Sequence, residues 1–487
     1  MRHERGDATL ILDCSLENSS EIKTARRAMS YKPDIIGFSI MTAQNIPSVN
    51  AIYDECNRIS SGHNIQWLAG GNFISSELSQ AMKILPERFF LCQFEGERAL
   101  EGFVQSLPLQ TTHRDDQGRV VTGKTVEDLD SLPFPRRPFI DIVLQNKWSV
   151  NIQGSRGCCG TCKYCASPGM SAQGTRKWRG RSMENIVQEI AWLNYQYGVV
   201  AFNFVDEDFL GPNHLARQRA IALSKGLAQR NLKVSIGIQV RPDSLTHEII
   251  DILTGTGVSY FFIGIESDSP DDFKRWGRPY HPDIWKTMAY LQHLDVVVHA
   301  GVMLFHQHST LQGIRQFAGK LHIHGLFNYV SAVNRLDAIP GSFFYKSAIK
   351  ENIIKSDDIG PQPLQFLSKE VECFYEDLLH VLAPLGPPYM HAICSLPYMS
   401  GVALRDPRNH DYANLKATIQ PLNETVWQSF LSLLNAYEHG GAERAFVNQM
   451  RHNNLSVAIE SVKTLVRNNL APSFETLREA IRIDSGL

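Results

Sequence analysis

Short apolar runs alternate with amphipathic segments over the first hundred residues of the chain. The strand-like runs are residues 9–13, 33–40, 65–71 and 89–92. Helix-length amphipathic segments lie between and after them, at residues 20–29, 46–59, 77–84 and 96–105. Because strands that alternate with helices form parallel, doubly wound sheets, we predict an α/β domain of this kind over residues 1–108.

The periodicity fails after about residue 108. Residues 111–123 are polar and charged, and the stretch from Leu132 to Pro138 contains three prolines. Polar, proline-rich sequence is typical of extended connections between domains. We therefore predict a linker over residues 109–145.

A second series of βα units begins near Trp148. Its strand-like runs are residues 150–153, 199–205, 234–240, 260–265, 296–305 and 329–336. Six such units predict a partial (β/α)6 barrel over residues 146–345, with reactive groups at the carboxyl ends of the strands. Beyond Gly341 long helical patterns replace the strands, so we predict a helical C-terminal domain over residues 346–487.

The composition and charge of the chain exclude several classes of protein. Of its 487 residues, 43% are hydrophobic and 20% are charged, as in globular rather than disordered proteins. Forty-eight Lys and Arg against fifty Asp and Glu give a net charge of −2, which argues against nucleic acid as a partner. The chain lacks both an apolar run of roughly 18 residues, as a membrane span needs, and an N-terminal secretory signal. We expect a cytoplasmic protein without a membrane partner.

Four of the nine cysteines crowd into residues 158–165, directly after the first predicted barrel strand. This crowding and the odd total favour metal or redox chemistry over a disulfide framework. Cys158, Cys162 and Cys165 have C-x3-C-x2-C spacing, and three thiolates on one short loop can hold three irons of a 4Fe-4S cubane while the fourth iron stays open. Cys159 with Cys162 and Cys165 is an alternative spacing. A zinc site would favour a second, distant C-x2-C pair, which the sequence lacks.

The loop resembles the cluster-binding loop of the radical S-adenosylmethionine (radical SAM) superfamily, and an ordered set of motifs strengthens the resemblance. These motifs are FVDEDF at 204–209, QVRPD at 239–243, IGIES at 263–267 and AIPGSFFY at 338–345. In that superfamily the open iron binds S-adenosylmethionine, which the reduced cluster cleaves to a 5′-deoxyadenosyl radical that abstracts hydrogen from the substrate. The resemblance implies a 4Fe-4S cluster, S-adenosylmethionine and an external electron donor of flavodoxin or ferredoxin type.

The resemblance also implies roles for charged and polar residues at the ends of the barrel strands. Asp206 or Glu207 would accept hydrogen bonds from the ammonium group of S-adenosylmethionine, as suits a carboxylate. Glu266 would hold the ribose hydroxyls. Arg241 or Ser235 would contact the carboxylate side of S-adenosylmethionine. Tyr164 would contact its adenine. Single charged residues at loop ends are also commonly just solvated, and the sequence leaves that alternative open.

The N-terminal domain is similar to the cobalamin-binding-type domain of one radical SAM subgroup. That similarity suggests cobalamin and methyl transfer to a peptide or natural-product intermediate. The Asp-x-His-x-x-Gly motif that supplies a lower axial histidine is absent, however, and Asn72 follows Gly70 and Gly71 where related domains often have histidine. The sequence leaves the binding of cobalamin open.

Cys373 lies on a predicted helix beyond the barrel, apart from every predicted cluster ligand. A thiol can donate a hydrogen atom to a carbon radical, which would invert a stereocentre. The chain length, the domain order and this thiol resemble the radical SAM epimerases of proteusin-type ribosomal peptides. That resemblance implies a precursor peptide as substrate, conversion of L- to D-residues, and Cys373 as the hydrogen donor. Cys394 is the competing donor, and His299, His306 and His308 receive no predicted role.

Overall fold

The computed structural model describes residues 9–60, 64–105, 119–167, 178–355, 359–405 and 410–468. Its strands, numbered in chain order, are β1 (Ile35–Ser39), β2 (Gln66–Gly70), β3 (Phe89–Gln93), β4 (Val120–Thr122), β5 (Val150–Ile152), β6 (Ser155–Arg156), β7 (Arg179–Gly180), β8 (Ala201–Phe204), β9 (Ser235–Val240), β10 (Val258–Glu266), β11 (Val297–Val302), β12 (Asp337–Ala338) and β13 (Gln362–Pro363). Single 3₁₀ turns span Ala43–Asn45, Leu129–Ser131, Pro242–Ser244 and Ala383–Leu385.

The α-helices precede, connect and follow these strands. In the first third of the chain they span Glu21–Ser30, Ile46–Ile59, Asn72–Ser76, Leu78–Ile84, Gly96–Gln105 and Ile140–Gln145. The middle helices span Met183–Tyr197, Asn213–Gln229, His247–Thr256, Pro270–Trp276, Ile284–Gln292, Leu311–Ile323, Tyr329–Val333 and Phe343–Lys350. The last helices span Lys369–Leu382, Gly386–Arg405, Asp411–Glu438 and Arg444–Arg467.

The chain divides into two compact units that interleave along the sequence. The first consists of residues up to Phe139, Thr161–Arg179 and Ala338–Gln362. The second consists of Ile140–Gly160, Gly180–Asp337 and the residues from Pro363 onward. The predicted fold class, α/β with parallel sheets and a helical C-terminal region, is confirmed.

The first unit is built on a parallel four-stranded sheet with the order β1-β2-β3-β4. The central residues of β2, Trp67, Leu68 and Ala69, are all buried, so both faces of the sheet are covered. Trp67 packs edge-on against Tyr53 with 4.8 Å between ring centroids. Full burial of a large apolar side chain contributes about 1.5–3 kcal/mol, so this cluster is a main source of the unit's stability.

Two expectations for the first unit are wrong. The predicted strand at residues 9–13 does not form, and Leu10 and Ile11 are 39% and 46% exposed. An apolar run becomes a strand only where a neighbouring edge can pair with it and cover it. Conversely, the predicted linker contains β4, whose residues 120–122 pair with β3.

The second unit contains a parallel five-stranded sheet with the order β11-β10-β9-β8-β5. The predicted sixth strand, at residues 329–336, is wrong. Residues Tyr329–Val333 form a helix because Asn328 and Ser331 make a reciprocal capping box. Within the described part of the chain only one isolated bridge, between Phe305 and Arg335, continues the barrel beyond β11.

The helical region of the second unit packs against this sheet. The helix Gly386–Arg405 contacts β8, β9 and β10. At Gly401 a Cβ atom would lie 2.3 Å from the carbonyl oxygen of Val200, so glycine permits the close approach of helix and strand. None of the helices in the described ranges is long and apolar enough to cross a membrane.

Candidate functional site

The loop that follows β5 is anchored by a buried carboxylate. Asp206, directly after β8, is 1% exposed and accepts hydrogen bonds from the Gly154 N–H at 3.0 Å and from the Ser155 hydroxyl. Burial raises the pKa of Asp206 to about 6, against the lowering effect of these two hydrogen bonds. Both carboxylate oxygens are therefore used within the protein, a different set of contacts from the predicted one with the S-adenosylmethionine ammonium.

Glu207, the other predicted partner of that ammonium, is exposed at the carboxyl end of β8. One carboxylate oxygen accepts a hydrogen bond from the Gly157 N–H at 3.1 Å. Gly157 has φ of 79°, a left-handed conformation that favours glycine. Glu207 thus contacts the cysteine loop one residue before Cys158 and keeps an accessible carboxylate.

The cysteine loop is divided between the two compact units. In the second unit, the sulfur of Cys158 accepts a hydrogen bond from the Gly160 N–H at 3.3 Å. In the first unit, the Cys165 N–H donates to the Cys162 carbonyl at 3.2 Å, and the Lys163 carbonyl accepts from the Phe344 N–H at 3.1 Å. Tyr164, the predicted adenine contact, is half-buried in the first unit.

The four cysteines of the loop form no disulfide bond, and their side chains are partly exposed. Their number, their spacing and the N–H···S hydrogen bond on Cys158 fit a cluster held by three thiolates. Across the ranges that the structure describes, no group of three or more His, Cys, Asp or Glu side chains is arranged to hold a metal ion. The fit is therefore one of donor chemistry.

Arg241 is held at the carboxyl end of β9 by two carboxylates. Its Nε donates to Asp208 at 2.8 Å and its Nη1 donates to Asp243 at 2.8 Å. Burial lowers the pKa of Arg241, but the charges of Asp208 and Asp243 outweigh it and raise the pKa overall. A Cys158 thiolate adds to this effect, so Arg241 and Cys158 lie at the same edge of the sheet.

Ser235 is not brought to that edge. It is fully buried at the amino end of β9, where its hydroxyl lies 2.6 Å from the hydroxyl of Ser259. Val240 lies five positions further along the strand, about 17 Å from Ser235 at the usual rise. The structure therefore separates Ser235 from Arg241, its predicted alternative.

Glu266, the last residue of β10, is held by an arginine that the sequence analysis missed. Arg278 donates from Nη1 to Oε1 of Glu266 at 2.6 Å and from Nη2 to the Gly264 carbonyl at 2.5 Å. Glu266 has φ of 66°, and a Cβ at Gly264 would lie 2.5 Å from its carboxylate. A glycine at position 264 therefore leaves space for the Glu266 carboxylate. The only signal for Arg278 is its place after Gly277, which ends the helix Pro270–Trp276.

A buried polar cluster fixes the turn after Glu266. Asp272 accepts from the Ser267 hydroxyl at 2.6 Å and from Arg275 at 2.9 Å, and it lies 3.3 Å from Nε2 of His306. Burial raises the pKa of Asp272, but these partners outweigh it and lower the pKa overall. His306 received no role from the sequence; here it ties the segment after β11 to the turn after β10.

The two candidate hydrogen donors lie in different surroundings within the second unit. Cys373 packs against the hydrophobic core on the helix Lys369–Leu382 and is near enough to Tyr437 to affect its titration. Cys394 is exposed on the helix that contacts β8, β9 and β10; burial raises the pKa of Tyr260 on β10, and the charge of a Cys394 thiolate adds to that effect. Cys394 is therefore the thiol beside the barrel sheet.

Comparison with known proteins agrees with this geometry. Residues 152–319, which run from the last residue of β5 through the cysteine loop to beyond β11, match the model of the radical SAM superfamily. The chain contains a radical SAM domain. A domain of this family implies an enzyme that uses a 4Fe-4S cluster and S-adenosylmethionine, which confirms the coarser part of the resemblance drawn from the motifs.

The radical SAM domain and its surroundings resemble proteins of several organisms. An uncharacterized methyltransferase of Pyrococcus horikoshii is 25% identical over 281 residues, 53% of this chain and 57% of the relative. The 4′-phospho-dehydrooxetanocin synthase of Priestia megaterium is 24% identical over 289 residues, 52% of this chain and 37% of the relative. The chain thus spans only part of the length of these relatives.

Two solved structures share the fold over nearly the whole chain. The cobalamin-dependent S-adenosylmethionine radical enzyme OxsB, solved with aqua-cobalamin and S-adenosylmethionine, has a TM-score of 0.71 at 16% identity and covers 99% of this chain and 76% of its own. The radical SAM methyltransferase TsrM of Kitasatospora setae, solved with cobalamin and a 4Fe-4S cluster, has a TM-score of 0.59 at 13% identity and covers 94% of each chain. At these identities the likeness concerns the fold.

Proposed function

We propose that the chain is a cobalamin-dependent radical SAM methyltransferase that acts on a peptide or natural-product intermediate. The observation that carries the proposal is the likeness in fold to OxsB with aqua-cobalamin bound, which extends over 99% of the chain and includes the N-terminal sheet. The methyltransferase from Pyrococcus horikoshii and the structure of TsrM support the same reaction class.

The first unit offers a corrinoid the carboxyl edge of its parallel sheet, where ligands of such sheets bind. After β1 this edge is accessible, because Ser39 is exposed and Met41 is 53% exposed. After β2, Gly71 has φ of 103°, and a Cβ there would lie 2.5 Å from the Ile40 carbonyl, so only glycine fits. Residues 9–60 and 64–105, the described part of this domain, contain no histidine. The residues fit a corrinoid bound without an imidazole from this edge.

We assign the cluster to Cys158, Cys162 and Cys165 of the loop that follows β5. The cluster and S-adenosylmethionine would supply a 5′-deoxyadenosyl radical, and cobalamin a methyl group. Glu207, which is exposed, would accept the ammonium of S-adenosylmethionine, while buried Asp206 would position the loop.

The remaining contacts to S-adenosylmethionine follow the roles predicted from the sequence. Glu266 would hold the ribose hydroxyls, Arg241 the carboxylate side and Tyr164 the adenine. An external electron donor of flavodoxin or ferredoxin type would reduce the cluster.

Peptide epimerisation is the second candidate, and the two free thiols of the second unit favour it. In that reaction a Cα–H bond of a precursor peptide breaks, and a thiol, Cys373 or Cys394, returns hydrogen to the opposite face. The resulting thiyl radical would regain a proton and an electron from the external donor. This chemistry would need no corrinoid.

Mass spectrometry of a coexpressed precursor peptide in heavy water distinguishes these reactions. Methyl transfer is expected to add about 14 Da per turnover, with a corrinoid that copurifies and absorbs visible light. Epimerisation would add one deuterium per inverted centre without other change. A reconstituted, reduced protein that never cleaves S-adenosylmethionine would refute both.

A further inference from the structure

The five-stranded sheet of the second unit has two unlike faces. Parallel sheets are usually covered on both faces and apolar on both. One face obeys this rule, with Ile152, Phe204, Ile236, Phe261 and Ala300 all buried. The opposite, inner face carries polar and aromatic side chains that remain solvent-accessible: Asn151, Asn203, Gln239, Tyr260, Phe262 and His299.

The inner-face residues are neighbours through the strand register. Asn151 pairs with Asn203, Asn203 with Gly237, and Gly237 with Tyr260. Phe262 lies between Gln239 on one side and His299 on the other. Since strands lie about 4.8 Å apart, these side chains form one continuous surface.

Glycines widen this surface where larger neighbours need room. A Cβ at Gly237 would lie 2.7 Å from Oδ1 of Asn203, and a Cβ at Gly301 would lie 2.9 Å from the Phe262 ring. Both glycines are on the inner face, opposite the buried core. The chain thus gives up apolar packing here and keeps accessible polar groups, as a binding surface requires.

The inner face is uncharged over most of its extent. Among the inner-facing residues of the five described strands, Glu266 alone carries a charge, and it pairs with Arg278 at the carboxyl edge. Arg241, just beyond β9, is paired with Asp208. A phosphate or carboxylate placed against the middle of this face would therefore lose its hydration without gaining a cation, which is costly.

Tyr260 and His299 form a neutral hydrogen-bonded pair, with 3.0 Å between the tyrosine oxygen and Nδ1. Burial lowers the pKa of His299 and raises that of Tyr260, and the Cys394 thiolate adds to the latter effect. When the hydroxyl donates to Nδ1, the proton of the ring lies on Nε2. Neither Nε2 nor the Gln239 amide has a hydrogen-bond partner among the residues that the structure describes, so both can serve a ligand.

We infer that this inner face binds the uncharged, carbonyl-bearing part of the second substrate, and that Tyr260 and His299 determine its specificity against anionic groups. His299 would donate a hydrogen bond to the carbonyl, the amides of Asn203 and Gln239 would hold the polar remainder, and Phe262 would contact an apolar or aromatic part. The inference rests on the proposed function in one respect: the bound molecule is taken to be the substrate of that reaction.

Cys394 provides a reporter at this surface. It lies seven residues, about 10.5 Å of helix, before Gly401, which contacts the start of β8. That length spans two strand spacings and so reaches β10, where Tyr260 lies. Cys373, packed against the helical core, is the internal control thiol.

The test uses the anaerobically reconstituted holoenzyme and a matched pair of probes, N-acetyl-L-phenylalaninamide and N-acetyl-L-phenylalanine. Alkylation of Cys394 and Cys373 by iodoacetamide is measured by peptide mass spectrometry at increasing probe concentration. We expect the amide to protect Cys394 at about tenfold lower concentration than the carboxylate, because of the cost of burying an unpaired charge. Neither probe should affect Cys373.

Three variants make the test specific. Gln239→Lys places a cation on the inner face and should reverse the preference toward the carboxylate. Gln188→Lys, the same change at an exposed position of the helix Met183–Tyr197, should leave the preference unchanged. Tyr260→Phe removes the partner of Nδ1 and should weaken protection by the amide.

Equal protection by both probes, a carboxylate preference in the unaltered protein, no protection by either, or like behaviour of the two lysine variants would overturn the inference. Cleavage of S-adenosylmethionine, measured in the same preparation, separates this result from the proposed function. A preparation that discriminates between the probes but never cleaves the cosubstrate would refute only the proposed function.

Discussion

The two parallel sheets of this protein have the same strand geometry but differ in which of their surfaces a ligand can reach. In the four-stranded sheet, Trp67 and Leu68 are consecutive and both buried, so each face packs against apolar side chains. In the five-stranded sheet, Phe261 is buried but Phe262 is accessible on the inner face. The first sheet therefore offers a ligand only its edge, whereas the second offers an edge and one face.

This difference shows where the chain gives up stability. A face built from Asn203, Gln239 and His299 contributes little burial of apolar surface, and the loss is offset by the opposite face and the helices packed on it. The four-stranded sheet, in contrast, packs apolar side chains on both of its faces. Substitutions in the two sheets should consequently have separable effects, on folding for the first and on chemistry for the second.

The largest expected effect comes from the loop after β5. Cys158→Ala should abolish the iron-sulfur absorption and all reductive cleavage of S-adenosylmethionine, because a cubane with two thiolates loses a ligand it needs. The fold of the four-stranded sheet should persist, as judged by an unchanged thermal transition of the apoprotein. Cys159→Ala is the matched control and should retain the cluster. Loss of the cluster in that control would shift the ligand set to Cys159, Cys162 and Cys165.

Trp67→Ala should lower the stability of the fold and leave the cluster intact. Removal of a fully buried indole that contacts Phe38, Tyr53 and Phe89 is expected to cost about 3–5 kcal/mol of unfolding free energy. Denaturant titration followed by circular dichroism measures the loss, and the remaining folded protein should still bind its cluster. Leu10→Ala, at an exposed residue outside the sheet, is the control and should change stability by less than about 0.5 kcal/mol.

The sequence predicted the edges of the two sheets better than their faces. The residues at the ends of β8 and β10 could be placed because glycines, carboxylates and cysteines follow apolar runs there, and parallel strands bring such ends together. The inner face gave no such signal: the run from Tyr260 to Ile265 is apolar or small at every position, and Tyr260 meets His299 only through a register that joins residues 39 apart.

The misplaced strands have the same physical origin. Residues 9–13 are apolar but find no edge to pair with, while residues 120–122, short and surrounded by polar sequence, pair with β3. Whether a short run becomes a strand depends on its partner, and the partner is a property of the fold. Arg278 was missed because an arginine beyond a helix end is commonly exposed, and its ion pair with Glu266 depends on that helix's position.

Asp206→Asn tests how the second sheet supports its loop. The pKa of Asp206 is raised from 3.8 to about 6, so its contribution to stability is complete below pH 3.8 and is lost as the pH rises through 6. The unaltered protein should lose up to about 3 kcal/mol relative to the variant between these pH values. Unfolding titrations from pH 4 to pH 7 measure the difference. Asp243→Asn, at an exposed carboxylate, is the control; an identical pH profile in both variants would contradict the assignment to Asp206.

The smallest expected effect concerns the carboxyl edge of the five-stranded sheet. Arg278→Gln should weaken binding of S-adenosylmethionine by about tenfold, because the Glu266 carboxylate loses the charge-assisted hydrogen bond from Arg278 that holds it in place. Arg278→Lys, which keeps one donor and the charge, should restore part of the affinity. Equilibrium binding to the reconstituted protein measures both.

Arg275→Gln is the matched control for that prediction, since Arg275 lies on the same segment and pairs with Asp272 instead. A purely structural role for Arg278 would lower stability without a specific loss for ribose-bearing ligands. We therefore expect Arg278→Gln to weaken the binding of S-adenosylhomocysteine more than the binding of its 2′-deoxyribose analogue. Equal weakening of the binding of both ligands would show that Glu266 does not hold the ribose.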